Sequence, residues 1–275
     1  MQIALCNEVL RDMPFEAQCA YAAALGYDGL EVAPFTLDEA PHVLPATERS
    51  RLRRTAEASG LAITGLHWLL VTPKGLSITS PDANVRRRTA GVLRDLVNLC
   101  ADLGGSVLVH GSPMQRALAP GEDPDTAVDR VAELMGPVAK AAQSANVTYC
   151  FEPLARNETA FVNTVADAAR LVESVGNPHF RTMIDASAAG QTETESVADL
   201  IRQWVPTGMI GHIQLNDTNR RGPGEGADRF APVIRALRET GYDKVIAVEP
   251  FIYEPDGPAV AARAIGYLRG LMEAT

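Results

Sequence analysis

Cysteine is scarce in this chain. Cys6, Cys19, Cys100 and Cys150 are scattered through 275 residues with no CxxC pair. That speaks against a disulfide framework and leaves each thiol to act as a small buried hydrophobe. Positive charge is in deficit: 25 Lys and Arg against 34 Asp and Glu give a net charge of −9 and a pI near 5.1. A protein that lives on nucleic-acid phosphates needs the opposite balance, so no nucleic-acid partner is expected. No apolar run approaches the roughly 20 residues of a membrane span. The opening residues, MQIALCNEVL, carry neither a basic segment nor a small-residue cleavage site. The expectation is a cytoplasmic protein with no membrane partner. Low-complexity linkers and breaks in composition are missing too, which favours one domain over residues 1–275.

What is present is a beat. Hydrophobic residues make up 46% and charged residues 21%, the balance of a globular protein. Short apolar runs recur at 3–9, 29–35, 63–70, 106–112, 148–154, 181–187, 211–217 and 245–251. Between them lie amphipathic stretches such as 80–104, which has a Ser-Pro-Asp start, apolar residues three and four apart, and a glycine stop. Strand and helix alternate without interruption, so the sheet is expected to be parallel. Eight units in a chain of this length predict a single α/β domain of the (β/α)8 barrel, or TIM barrel, type. The rival, a doubly wound open sheet, lacks its glycine fingerprint, because CNEVLRDMPFE after the first run contains no glycine. The Pro/Gly-rich patches 112–124 and 219–228 follow runs four and seven, on the barrel face where active sites are built.

The ends of the later runs carry His67, His110, Glu152, Asp185, His212 with Gln214, and Glu249. Alternation along a strand puts Cys150 with Glu152, His212 with Gln214, and Ala247 with Glu249 on shared faces. With those faces turned to the barrel axis, four oxygen donors from four consecutive strands converge: Glu152, Asp185, Gln214 and Glu249. Carboxylates that close raise one another's pKa, and a divalent cation neutralises them compactly. Oxygen-only donors select hard ions, Mn²⁺ or Mg²⁺. Taken singly, each strand-end acid also suits a helix N-cap. Two of these acids precede proline, in CFEPLARNE and VIAVEPF; the proline holds the glutamate before it in extended backbone.

With these residues in place, the chain resembles the xylose-isomerase-like sugar isomerase/epimerase superfamily, and within it ketose 3-epimerases and hydroxypyruvate isomerases. The resemblance covers nearly the whole chain. It is carried by ALGYDGLEV (24–32), PKGLSITSPD (73–82), EPLARNET (152–159) with NT at 163–164, HIQLNDTNRRGPGEG (212–226) and VEPF (248–251). It implies one Mn²⁺ or Mg²⁺ per chain on Glu152, Asp185, Gln214 and Glu249, and substrate contacts from Glu158 and Arg220. The strand-end histidines His67, His110 and His212 join them as substrate-binding candidates, and His212 is also the alternative metal ligand to Gln214.

The resemblance implies a small sugar or sugar-like hydroxy-carbonyl substrate. Glu152 and Glu249 are then the acid and base that move a proton beside a carbonyl. Two departures stand out. The epimerases usually place histidine where Gln214 stands, whereas hydroxypyruvate-isomerase-like members carry Gln there. The epimerases also place a substrate-binding histidine where this chain has Ala188. The alternatives are therefore a hydroxypyruvate isomerase-like enzyme or a metal-dependent lyase or dehydratase. A homo-oligomer is left open.

Overall fold

Each apolar run becomes a short buried strand, shorter than the run itself because the polar residues at its end turn into the following loop. The structure, a computed structural model describing residues 1–275, contains β1 (Ile3–Cys6), β2 (Gly29–Val32), β3 (Ala62–Leu66), β4 (Val107–His110), β5 (Thr148–Phe151), β6 (Phe180–Asp185), β7 (Ile210–Leu215) and β8 (Ile246–Val248). All are parallel and close in sequential order. This is the (β/α)8 barrel that the alternation predicts.

The helices are α1 (Phe15–Leu25), α2 (Ala46–Ala58), α3 (Ala83–Leu103), α4 (Pro124–Ser144), α5 (Val165–Val175), α6 (Ala186–Thr192), α7 (Val197–Trp204), α8 (Phe230–Glu239) and α9 (Gly257–Ala274). The start signal before α3 works as read, with Asp82 accepting from the Asn84 amide, and Gly104 ends the helix in left-handed conformation. No helix is long and apolar enough to cross a membrane.

Two cores of different character result. The outward strand faces and the helices share one hydrophobic cluster of 65 buried residues. Inside the barrel the apolar groups are few: Val107, Val109, Cys150 and Met183 in one cluster, Ala4, Cys6 and Ala247 in another. Register explains the difference. Cys6, Glu31, Gly65 and Val107 are aligned across β1 to β4, and Asp185, Gln214, Ala247 and Ala4 across β6, β7, β8 and β1. Polar side chains thus alternate with small ones around the interior.

Two bulges re-aim strands, one where β3 inserts Thr64 opposite Leu30 and Glu31, the other where β7 inserts Gly211 opposite Thr182 and Met183. Gly65 is required by close approach, since a Cβ there would collide with the Val107 carbonyl and side chain. Gly65→Ala is expected to destabilise the fold by about 1–3 kcal/mol through overpacking, read from the midpoint of denaturant unfolding.

Candidate active site

Three acids meet at the C-terminal mouth. Glu152 follows β5, Asp185 ends β6 and Glu249 follows β8. One carboxylate oxygen from each lies within 4.8 Å of the others, and all three are buried.

Each is fixed by its neighbours. The Glu152 amide donates to the His110 carbonyl at 3.2 Å, and its carbonyl accepts from Arg116 Nη1 at 2.6 Å. Gly111 leaves space for the carboxylate, where any Cβ would strike Oε2. Asp185 serves as the N-cap of α6: Oδ1 accepts from the Ala188 amide at 2.7 Å, while Oδ2 accepts from Asn216 Nδ2 at 2.9 Å. The N-cap reading and the cluster reading of this acid are both realised. Asn216 also donates to the Glu249 carbonyl at 2.9 Å and accepts from the Ser187 amide at 2.7 Å. One amide therefore ties β6, β7 and β8 together at the mouth.

Burial pushes the Glu152 and Glu249 carboxyls well above the ordinary range, and neighbouring carboxylates push them further. Arg116 opposes the shift at Glu152. Burial raises Asp185 to about 6 against the pull of the Ala188 and Asn216 hydrogen bonds. Among the four oxygen-donor residues, two buried oxygens lack any partner, Glu249 Oε2 and Gln214 Oε1. Gln214 Nε2 donates to Glu31 Oε1 at 2.8 Å, which leaves its carbonyl oxygen free. Unpaired buried oxygens beside clustered carboxylates fit a hard divalent cation better than they fit a closed polar network.

Above the acids, a cavity of about 130 Å³ is lined by residues including Trp68, Glu152, Glu158, Asp185, Ala188, Arg220 and Phe251. Arg220 Nη2 lies 3.6 Å from Glu158 Oε1, and its guanidinium sits 4.6 Å over the Phe251 ring. The Arg220 carbonyl accepts from the amides of Phe251 and Ile252, which holds its left-handed backbone, φ 69°. Phe35, Trp68 and Phe251 form an aromatic row. A larger cavity of about 510 Å³ lies to one side, between Glu193–Ala198 and Asp228–Val233, and holds none of the three acids. Convergent titratable groups mark the smaller cavity as the site.

The histidines need correction. His110 does not reach the site. It alternates with inward-facing Val109, so its ring lies among Tyr149 and Phe151, with Nδ1 2.6 Å from the Tyr149 hydroxyl. Burial lowers its pKa to about 3. His212 sits lower in the barrel, Nε2 2.8 Å from Glu31 Oε2, and lines a cavity with Gln2, Thr148 and Lys244 at the N-terminal end. His67 is inside but bonds Glu8 at 2.7 Å, with Nε2 3.8 Å from Glu249 Oε1, and it does not line the mouth cavity.

Four residues went unread in the sequence. Glu8 and Glu31 are lone acids in or just after apolar strands, a visible signal. Asn216 continues the period-two series from His212 and Gln214. Arg116, wholly buried, sits in a loop with the composition of a solvated one and carries no signal. Glu31 is held down to about 2: burial opposes its ionisation, but His212, His67 and Gln214 outweigh it.

A closed parallel barrel with acids and a lined cavity at its C-terminal mouth has the architecture of a barrel enzyme. Residues 19–271 match the profile described as "Xylose isomerase-like TIM barrel", and the chain belongs to that family. Its relatives are enzymes. It is 26% identical to a D-psicose 3-epimerase of Ruminiclostridium cellulolyticum, over 84% of this chain and 76% of the relative. It is 29% identical to a 3-dehydro-D-guloside 4-epimerase of Escherichia coli over 47% and 48% of the two chains. In fold it is similar to a solved L-ribulose 3-epimerase, with a TM-score of 0.84 and 23% identity over 100% and 95% of the two chains.

The electrostatics give a signed expectation. The folded pKa of Asp185, about 6, lies above its ordinary 3.8, so the folded state binds the proton more readily. In the metal-stripped protein this residue's contribution to stability is therefore lost as pH rises from about 4 to about 6. The difference in unfolding free energy between wild type and Asp185→Asn, measured by chemical denaturation across that range after EDTA treatment, should fall as pH rises.

Proposed function

We propose that the chain is a divalent-metal-dependent epimerase of a small ketose or keto-sugar, acting by proton transfer at a carbon beside the carbonyl. The observation that carries this is the buried convergence of Glu152, Asp185 and Glu249 beneath a cavity lined by Glu158 and Arg220. The names of the relatives support it: 3-epimerisation of a ketose and 4-epimerisation of a 3-dehydro-glycoside both invert a carbon beside a ketone. That favours epimerisation over the isomerase and lyase alternatives.

A hard cation, Mn²⁺ or Mg²⁺, held by Glu152, Asp185, Gln214 and Glu249, would draw charge from the substrate's carbonyl and adjacent hydroxyl oxygens as the proton leaves. Glu152 and Glu249 stand on strands three apart and so flank a substrate at the mouth. One carboxylate takes the C–H proton, and the electron pair moves onto the carbonyl oxygen as an enediolate. The other carboxyl returns a proton to the opposite face of the same carbon, inverting it. Burial raises both carboxyls above the ordinary range, which makes each a stronger base toward the C–H proton. Arg220 and Glu158 hold substrate hydroxyls, and the Phe35–Trp68–Phe251 row excludes water. The Ala188 side chain offers no hydrogen bond, and its amide is already used by Asp185.

Incubation with Mn²⁺ and a ketose panel in D₂O should wash deuterium into the inverted carbon. Glu152→Gln and Glu249→Gln should each lower turnover by about 10²-fold or more while the fold persists by circular dichroism. A variant that keeps near wild-type turnover would remove that residue from its role.

The ligand set has its own test. Gln214→Ala should weaken Mn²⁺ binding by about tenfold or more, whereas His212→Ala should leave it within about twofold. The reverse pattern in calorimetric titration would put the imidazole, not the amide, on the metal.

A further inference from the structure

Glu249 also belongs to a second group of buried side chains. Cys6 ends β1, Glu8 lies two residues beyond it, and His67 follows β3. One donor atom from each of Cys6, Glu8, His67 and Glu249 lies within 4.8 Å of the others, and none of the four residues is more than 6% exposed. As a closed polar network the group is incomplete. Glu8 Oε2 bonds His67 Nε2 at 2.7 Å, and the same nitrogen lies 3.8 Å from Glu249 Oε1, but Glu8 Oε1 and Glu249 Oε2 have no partner. Buried polar atoms are normally paired, so two unpaired carboxylate oxygens in one cluster call for an occupant.

The thiol points the same way. Cys6 Sγ lies 3.7 Å from Glu31 Oε1 and 3.9 Å from Gln214 Nε2. A cation bound among these groups takes the sulfur as a thiolate and displaces its proton.

We propose that Cys6, Glu8, His67 and Glu249 form a second metal site, distinct from the oxygen-donor set on Glu152, Asp185 and Gln214 and sharing only Glu249 with it. One sulfur, one imidazole nitrogen and two carboxylate oxygens make a four-donor set suited to a borderline cation such as Zn²⁺ or Co²⁺, not Mg²⁺. The site takes its neighbouring acids from the proposed catalytic reading but does not depend on turnover.

The test is a Co²⁺ titration of the EDTA-stripped, full-length protein, followed by absorption spectroscopy. Binding of about two equivalents is expected, one of which brings a thiolate-to-cobalt charge-transfer band in the near ultraviolet. Zn²⁺ should displace that band and Mg²⁺ should not. Cys6→Ser should abolish it, and Asp185→Asn should retain it while losing the other equivalent. Absence of the band in saturated wild type overturns the proposal without recourse to any variant. So does its survival in Cys6→Ser, or its loss in Asp185→Asn, which would mean a single mixed centre. Missing deuterium exchange with the band intact would count against the catalytic reading alone.

Discussion

Three carboxylates held within 4.8 Å of one another repel, and the mouth of this barrel is organised around that repulsion. No lysine or arginine pairs with any of the three carboxylates, and His67 Nε2 comes only within 3.8 Å of Glu249 Oε1. The fold restrains them through dipoles and backbone contacts instead. Asp185 takes the N-terminus of α6, Asn216 bridges Asp185 to the Glu249 backbone, and Arg116 grips the Glu152 carbonyl from behind. Charge is thereby concentrated and left open on one side, the condition under which a cation is bound and a proton moved.

Stability is drawn from elsewhere. The apolar cluster of 65 residues lies outside the strands, between sheet and helices, while the barrel axis carries Glu31, His67, His212, Gln214 and the acids. Small residues at Ala4, Gly65 and Ala247 make room for these groups in register. The interior is less a core than a polar column. Glu31 is its centre, within reach of both His212 and Gln214, and it couples the lower half of the barrel to the mouth.

The fold was legible because its signal repeats: eight apolar runs separated by amphipathic stretches leave little freedom in topology. The acids were legible because alternation placed Glu152 with Cys150 and Glu249 with Ala247. The same alternation, followed from Val109 instead of from the strand end, would have turned His110 outward. His212 misled for a different reason. The bulge at Gly211 and the depth of a strand residue below the mouth are not written in a period-two pattern. Arg116 could not be read at all, since its burial depends on a loop folding back over Phe151. Glu8 and Glu31 are readable, as lone acids in or just after the apolar runs of the first two strands.

The separation of the two cores bears on descent. Residues along the barrel axis can change without disturbing the packing that keeps the chain folded, because that packing lies outside the strands. Solved relatives accordingly superpose with a TM-score of 0.84 at 21–23% identity. What the axis carries and what holds the shape are, in this architecture, nearly independent.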